Sequence, residues 1–474
     1  LWSMRKLNVF MMLFLISLTV QAQFWVTDPL EALYPDQNET KNFKSKWHVD
    51  VAQGEEASSH ILLKLPMGTA FTVEAKIDDR QIDNELWYLL QAVPVEQNTG
   101  VDSRTEQYKN MVNPDVIRRA PFDVFEVLRP LTPENSVVKT NYTAVRLNLS
   151  SKELPNPGKY LISIEVRTDQ QVLQGKFSVT VHPVKLPEYQ DSDFFYTNWF
   201  NLSRMEEKHE LTRWSDSWFQ MLEKYARLMA HGRQNSISIP HELLTYEDGH
   251  FELDEDKMLR FINVFRDEGF TYFEAPHLMY RGDNDDWGDP ELKVYLTKRR
   301  YKTENGEADI EQLMSLIRDF VQKNGLLNNW LQHVSDEPTA VNAASYKEVV
   351  GQIKKIYPEI KIMEATNDRD GIAGAIDIWC PLINDFQENE AFFREREQKG
   401  EKVLVYTCLI PGGKWLNRTL DMERIRQVYF GWGAAHYNTS GYLHWGLNQY
   451  HGDPFEQSVI HHPAPGAAKN NFLP

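Results

Sequence analysis

The sequence predicts a multidomain chain: an N-terminal all-β sandwich followed by an α/β (β/α)8 barrel of the TIM type. Three observations carry this expectation. From Phe24 to about Pro187, short alternating apolar runs are broken by turn residues, with no competing helical period. Beyond Pro187, apolar β-rich runs alternate with amphipathic helical stretches. Eight such runs fit within residues 188–474, the count and size of one barrel. A doubly wound open sheet is the competing fold, but no G-x-G-x-x-G follows a strand and no Walker A pattern occurs.

The elements follow in order. Leu1-Trp2-Ser3 precede Met4, the expected start. Arg5 and Lys6, an apolar run from Leu7 to Val20 and the small-residue end Val20-Gln21-Ala22 make residues 1–22 a signal peptide, so export is expected. The apolar run is shorter than the roughly 20 residues of a comfortable membrane helix, and no stable span is expected. No cysteine follows the run, so a lipoprotein is not indicated. Residues 24–187 form the predicted sandwich, with strands over 61–65, 71–75, 87–90, 143–147, 160–166 and 177–181. In the barrel, strands are expected over 194–200, 236–240, 271–276, 330–334, 361–365, 376–382, 403–409 and 441–446. Helical windows lie near 209–230, 254–268, 309–323, 339–356, 385–398 and 420–437.

Composition bounds the function. Asp and Glu number 68 against 51 Lys and Arg, a net charge of −17, which argues against nucleic acid and against an anionic membrane surface. With 2 cysteines, a disulfide scaffold or zinc ribbon is excluded. Cys380 and Cys408 fall in adjacent candidate strands and read as buried thiols, with a disulfide as the alternative. Sequons begin at Asn38, Asn141, Asn148, Asn201, Asn417 and Asn438 and matter where the host glycosylates.

In a barrel of this kind the chemistry sits at the carboxyl ends of the strands. Those ends carry Asn198-Trp199, His241-Glu242, Glu274 to His277, Ser335-Asp336-Glu337-Pro338, Glu364 to Asn367, Trp379-Cys380, Tyr406-Thr407 and His444 to Gln449. Carboxylates, amides, imidazoles and indoles on one rim are what glycoside cleavage requires. An acid protonates the leaving oxygen, an anion sits by the oxocarbenium-like centre, and flat rings hold the sugar. The sharpest element is Asp336-Glu337-Pro338. Neighbours on a strand face opposite ways, so both carboxylates reach one pocket only if the strand bends there. Two carboxylates held so close are expected to raise one pKa toward that of a general acid. An acidic helix N-terminus is the plainer explanation. His241, His277 and His333 with Asp336 form a possible ligand set, but the spacing lacks H-E-x-x-H, and neither a metal nor a cofactor is expected. Trp199, Trp379, Trp415 and Trp445 are candidate sugar platforms, though a lone tryptophan is more often core than platform.

The Ser335-Asp336-Glu337-Pro338 turn, the run from Ile376 to Pro381 and the segment Gly441 to Asn448 with Asp453-Pro454 resemble glycoside hydrolase family 123. The likeness covers essentially the whole mature chain, because that family also places a β-sandwich before its barrel. It implies an exo-acting, retaining β-N-acetylgalactosaminidase whose nucleophile is the substrate's own acetamido group, and hence a glycan or glycolipid as partner. It implies that Glu337 is the general acid/base and that Asp336 holds the acetamido N–H. Tyr406, Trp379 and Trp445 are then candidates for closing the acetamido pocket. Asn198, Trp199, His241, His277, Asn367 and Asn448 are candidates for hydroxyl contacts, on strand-end position alone. Relatives continue beyond the Asn471-Phe472-Leu473-Pro474 segment, so the sequence is expected to stop short of a segment that closes the site. The alternatives are a two-carboxylate glycosidase with Glu274 or Glu364 as nucleophile, and a non-catalytic carbohydrate-binding protein.

Overall fold

The structure, a computed structural model, describes residues 23–37, 47–101, 105–187, 192–282, 286–366, 368–449 and 455. The expected signal peptide, the Asn38 sequon and Asn367 lie outside them. The chain divides into two units, Leu1–Ala92 with Phe125–Lys185, and Val93–Val124 with Leu186–Pro474.

The first unit is the sandwich. Its strands are β1 (Gln23–Thr27), β2 (Trp47–Gln53), β3 (Ala57–Lys64), β4 (Thr72–Ile77), β5 (Arg80–Gln81), β6 (Trp87–Val95), β7 (Phe122–Pro130), β8 (Thr143–Leu149), β9 (Gly158–Arg167) and β10 (Val172–Lys185). They form two five-stranded sheets, ordered β1-β3-β8-β6-β7 and β2-β10-β9-β4-β5. Alternation in sequence becomes alternation in space. Val73, Ala75 and Ile77 of one sheet pack against Ile61, Leu63, Val145 and Leu147 of the other in a single core.

Between β6 and β7 the chain leaves this unit. Residues 93–124, with the short helix α1 (Glu106–Lys109), belong to the second unit instead, so the sandwich is not the unbroken 24–187 block expected. The reason is polar rather than apolar. Buried Asp421 accepts from Thr99 N at 2.8 Å, Thr99 Oγ1 at 2.8 Å and Asn98 Nδ2 at 3.1 Å. Hydrophobic periodicity carries no trace of such an attachment.

The second unit runs β11 (Phe195–Asn198), α2 (Leu202–His209), α3 (Asp216–His231), β12 (Ser236–Ser238), a hairpin β13 (Leu244–Glu247) and β14 (His250–Leu253), α4 (Glu255–Asp267) and β15 (Tyr272–Ala275). A second hairpin, β16 (Met279–Arg281) and β17 (Leu292–Val294), precedes α5 (Glu304–Lys323), β18 (Trp330–Gln332), α6 (Ala343–Ile356) and β19 (Lys361–Ala365). The chain then passes through β20 (Ile378–Cys380), α7 (Ile383–Glu388), α8 (Glu390–Gln398), β21 (Lys402–Thr407), α9 (Ile425–Tyr437) and β22 (Gly441–His444). The eight parallel strands are ordered β11-β22-β21-β20-β19-β18-β15-β12; seven fall within a window the sequence predicts, and β21 begins one residue before its window of 403–409. The two hairpins were not anticipated, because their strands are three or four residues long.

Two apolar layers hold the barrel. Phe195, Leu331, Met363, Cys380, Leu404, Tyr406 and Leu443 fill the interior. A larger layer joins the outer strand faces to the helices; α3, for example, contributes Trp218, Phe219, Leu222 and Ala226, behind a Ser215 cap whose Oγ accepts from Trp218 N. β22 lies so close to β11 that a Cβ on Gly441 would sit 2.4 Å from Phe195 O.

Side chains carry much of the closure between β11 and β12, with Gln234 Nε2 donating to Asn198 O at 3.0 Å. Asn235 Oδ1 accepts from Tyr196 N at 2.8 Å and its Nδ2 donates to Phe194 O at 2.9 Å, replacing ladder bonds between those strands. Its own carbonyl accepts from Thr271 N and Tyr272 N, both at 3.0 Å. Asn235→Ala leaves two backbone groups of β11 without these partners and is expected to cost about 2–4 kcal/mol. Denaturant unfolding checks this; a loss under about 0.5 kcal/mol would show that the seam is held by other contacts.

Candidate active site

The centre of the site is the turn that follows β18. At Glu337 the backbone takes φ 41°, left-handed and unusual for glutamate. This is the bend that both carboxylates require. The Tyr406 hydroxyl, carried on the interior face of β21, donates to Glu337 Oε1 at 2.5 Å. Burial and the neighbouring Glu337 charge push the Tyr406 phenol well above its usual pKa, so it remains a donor. Beside them lies a cleft of about 230 Å³ lined by Trp287, Glu337, Pro338, Thr339, Ala340 and Asp368. Asp368 is turned back on its own loop, where Oδ1 accepts from Gly371 N at 3.3 Å.

Beneath the turn is a buried ion network. Glu274 and Glu364 are both 0% exposed, and His333 lies between them, Nε2 at 3.3 Å from Glu274 and Nδ1 at 3.1 Å from Glu364. The Ser236 hydroxyl and Trp199 Nε1 donate to Glu274, each at 2.8 Å. Glu364 Oε2 accepts from Val334 N at 2.9 Å, Ser335 N at 3.2 Å and the Tyr346 hydroxyl at 3.0 Å. His277 approaches the other oxygen of Glu364 at 3.3 Å. Both glutamates are therefore occupied by the protein, and neither offers a free oxygen to the cleft.

Burial works against charge on these groups, but their mutual bonds outweigh it. His333 is raised to about 10 against that penalty by Glu274 and Glu364, and Glu364 is lowered to about 2 by His277 and His333. One ligand atom each from His277, His333 and Glu364 lies within 4.8 Å of the others, a spacing that a cation would accept. His333, however, already bridges two carboxylates through both ring nitrogens, and its imidazolium supplies the positive charge.

The other predicted residues divide by what they touch. Trp199 is edge-on to His277 and His333, with ring centroids 6.2 and 6.1 Å away. His241 stacks near His277 and Tyr295, and burial, with His277 nearby, lowers it to about 4, so it is neutral at ordinary pH. Trp445 is half-buried beside His444. Asn198 and Asn448 are nearly buried and bonded to protein: Asn198 to Arg418 and Gln234, Asn448 to the backbone of Asn201. Trp379 is a correction. It points outward from β20 into the helix layer, packed on Phe392 and Phe393 with Nε1 bonded to Glu401, and cannot close a pocket inside the barrel. The alternation of β20 decides this, since Ile378 and Cys380 on either side take the interior. Neither cysteine forms a disulfide. Sequence reading missed Arg281 and Trp287, in the unanticipated second hairpin, and Arg418, on the loop after β21.

A phenol-bonded glutamate and a neighbouring aspartate thus lie at the carboxyl end of the barrel strands, where the chemistry of this fold sits. The family description "Glycoside hydrolase 123, catalytic domain" matches residues 199–467. The chain belongs to glycoside hydrolase family 123. Among solved structures it is similar to a family 123 glycoside hydrolase from Clostridium perfringens that was studied for glycolipid glycan hydrolysis. That match has 13% identity and a TM-score of 0.68, over 92% of this chain and 80% of that one. A GH10 xylanase from Thermobacillus composti matches at 14% identity over 56% of this chain and 88% of that one, with a TM-score of 0.34. A putative beta-galactosidase from Bacteroides fragilis matches at 9% identity over 84% of this chain and 53% of that one, with a TM-score of 0.30. No curated protein matches the chain.

The ion network has a pH signature. His333 binds its proton more tightly folded, at about 10 against 6.5, so its stabilisation is complete below about 6.5 and is lost as pH rises through about 10. Glu364 behaves oppositely, with full stabilisation above about 4.5 that is lost as pH falls through about 2. Unfolding free energies of wild type should therefore decline between pH 6.5 and 10, and His333→Gln should flatten that limb. Parallel declines in the two proteins would refute the assignment.

Proposed function

We propose that the protein is an exported glycosidase that removes terminal β-linked N-acetylgalactosamine from a glycan or glycolipid, with retention of configuration. The observation that carries this reading is the Tyr406–Glu337 bond of 2.5 Å beside Asp336, set above glutamates whose oxygens are already engaged. A proton donor set above buried glutamates whose oxygens are all bonded within the protein suits a substrate that brings its own nucleophile. The glycolipid glycans named for the Clostridium perfringens enzyme fit a substrate of this class.

In the first step Glu337, protonated, gives its proton to the glycosidic oxygen as the C1–O bond breaks. The acetamido carbonyl oxygen attacks C1 from the opposite face and closes an oxazolinium ring. Asp336 accepts the acetamido N–H and stabilises the positive charge that develops there. In the second step Glu337, now a carboxylate, takes a proton from water. The water oxygen bonds to C1 and the ring reopens to the acetamido sugar. Tyr406 steadies the carboxylate produced by the first step through its hydroxyl. In this reading Trp199 and Trp445 offer aromatic surface to the sugar ring, and His241 and His277 meet its hydroxyls.

A panel of β-glycosides tests the reading. Wild type should hydrolyse N-acetylgalactosaminides, and a thiazoline mimic of the oxazoline should inhibit it strongly. Glu337→Gln should lower kcat by about 10²–10⁴-fold on substrates with poor leaving groups. Asp336→Asn should be severe for acetamido substrates, whereas Asp368→Asn should leave most of the rate. Hydrolysis of β-galactosides without N-acetylgalactosaminides, or loss of activity on Asp368→Asn, would exclude the proposal.

A further inference from the structure

Glu337 occupies a backbone conformation that costs a non-glycine residue about 1–3 kcal/mol, so surrounding contacts must hold it. The segment 332–337 is bonded on two sides. On the carbonyl side runs the chain from Pro276 to Arg281. Gln332 Nε2 donates to Pro276 O at 3.2 Å, Met279 N donates to Val334 O at 2.8 Å, and Arg281 Nη1 donates to Asp336 O at 2.8 Å and to Glu337 O at 3.0 Å. Arg281 is 4% exposed, and its guanidinium lies 3.5 Å over the Trp287 ring, which orients it. On the amide side Glu364 accepts from Val334 N and Ser335 N through one oxygen. Arg281 and Glu364 are both buried, at 4% and 0% exposure.

We propose that Arg281 and Glu364 are positioning residues that clamp this turn from its two sides and so keep the Glu337 carboxyl aimed at the leaving oxygen. The inference rests on reading Glu337 as the acid/base. The bonds are asymmetric in kind. Arg281 brings a charged donor to two carbonyls of the strained turn itself, and Glu364 brings a charged acceptor to the two amides just before it. Charge-assisted bonds of this kind are about twice as strong as neutral ones. A loosened turn would relax toward ordinary φ and swing the carboxyl away, without changing its identity or the rest of the pocket.

The test is the leaving-group dependence of the rate, because an acid that is out of place hurts only substrates that need protonation. In the full chain, Arg281→Met keeps the apolar stem and removes the donors. Its kcat is expected to fall by about 10²-fold on a glycoside with an alkyl or sugar aglycone. On the 2,4-dinitrophenyl glycoside, which leaves without a proton, the loss should stay within about tenfold, with KM within about threefold. Arg281→Lys, whose ammonium can reach the same carbonyls, should recover part of the lost rate. Glu364→Gln retains an acceptor for Val334 N and Ser335 N and should show a smaller loss with the same selectivity. Equal losses on both substrates, or unchanged rates in both variants, overturn the clamp even if wild type is fully active. A wild type without activity on any N-acetylgalactosaminide overturns instead the reading beneath it.

Discussion

A glutamate at φ 41° is the constraint around which the site is organised. Two consecutive carboxylates cannot serve one pocket from a regular strand, since their side chains would face opposite ways. The chain resolves this by ending β18 at Gln332 and bending the next residues against bonded partners. The hairpin of Met279 and Arg281, the carboxylate of Glu364 and the hydroxyl of Tyr406 all converge on that bend. Each comes from a different part of the barrel: the chain after β15, strand β19 and strand β21.

Charge is handled in a layer below the chemistry. Two fully buried glutamates would be too costly in isolation, and they persist because an imidazolium lies between them and N–H and O–H donors satisfy their remaining oxygens. The network has a structural consequence for function. It ties the floor of the pocket to the backbone that carries Glu337.

Much of the architecture was legible in the sequence because it rests on period. All eight barrel strands coincide to within a residue with windows set by apolar alternation, and the Asp336-Glu337 bend followed from the geometry of adjacent side chains. What escaped was built on single polar contacts. Asp421 captures residues 98–99 for the barrel unit, and no hydrophobic pattern marks a carboxylate that bonds across more than 300 residues of chain. Arg281 sits on a strand of three residues, too short to show a period. Trp379 was misplaced for the opposite reason. Strand-end position alone suggested the rim, although the alternation Ile378-Trp379-Cys380 already assigns it the outer face. Asn198 and Asn448 show the same weakness, because position at a strand end does not say whether an amide faces a ligand or its own fold.

The central claim is that the substrate, rather than the protein, provides the nucleophile, with the clamped turn supplying proton and counter-charge. It is most directly tested by weakening that nucleophile alone. A series of aryl β-N-acylgalactosaminides in which the acyl group carries zero, one, two or three fluorines changes the carbonyl's basicity and little else. The account predicts a kcat/KM that falls steeply and monotonically along the series. A rate indifferent to fluorination would contradict it and would place the nucleophile on the protein.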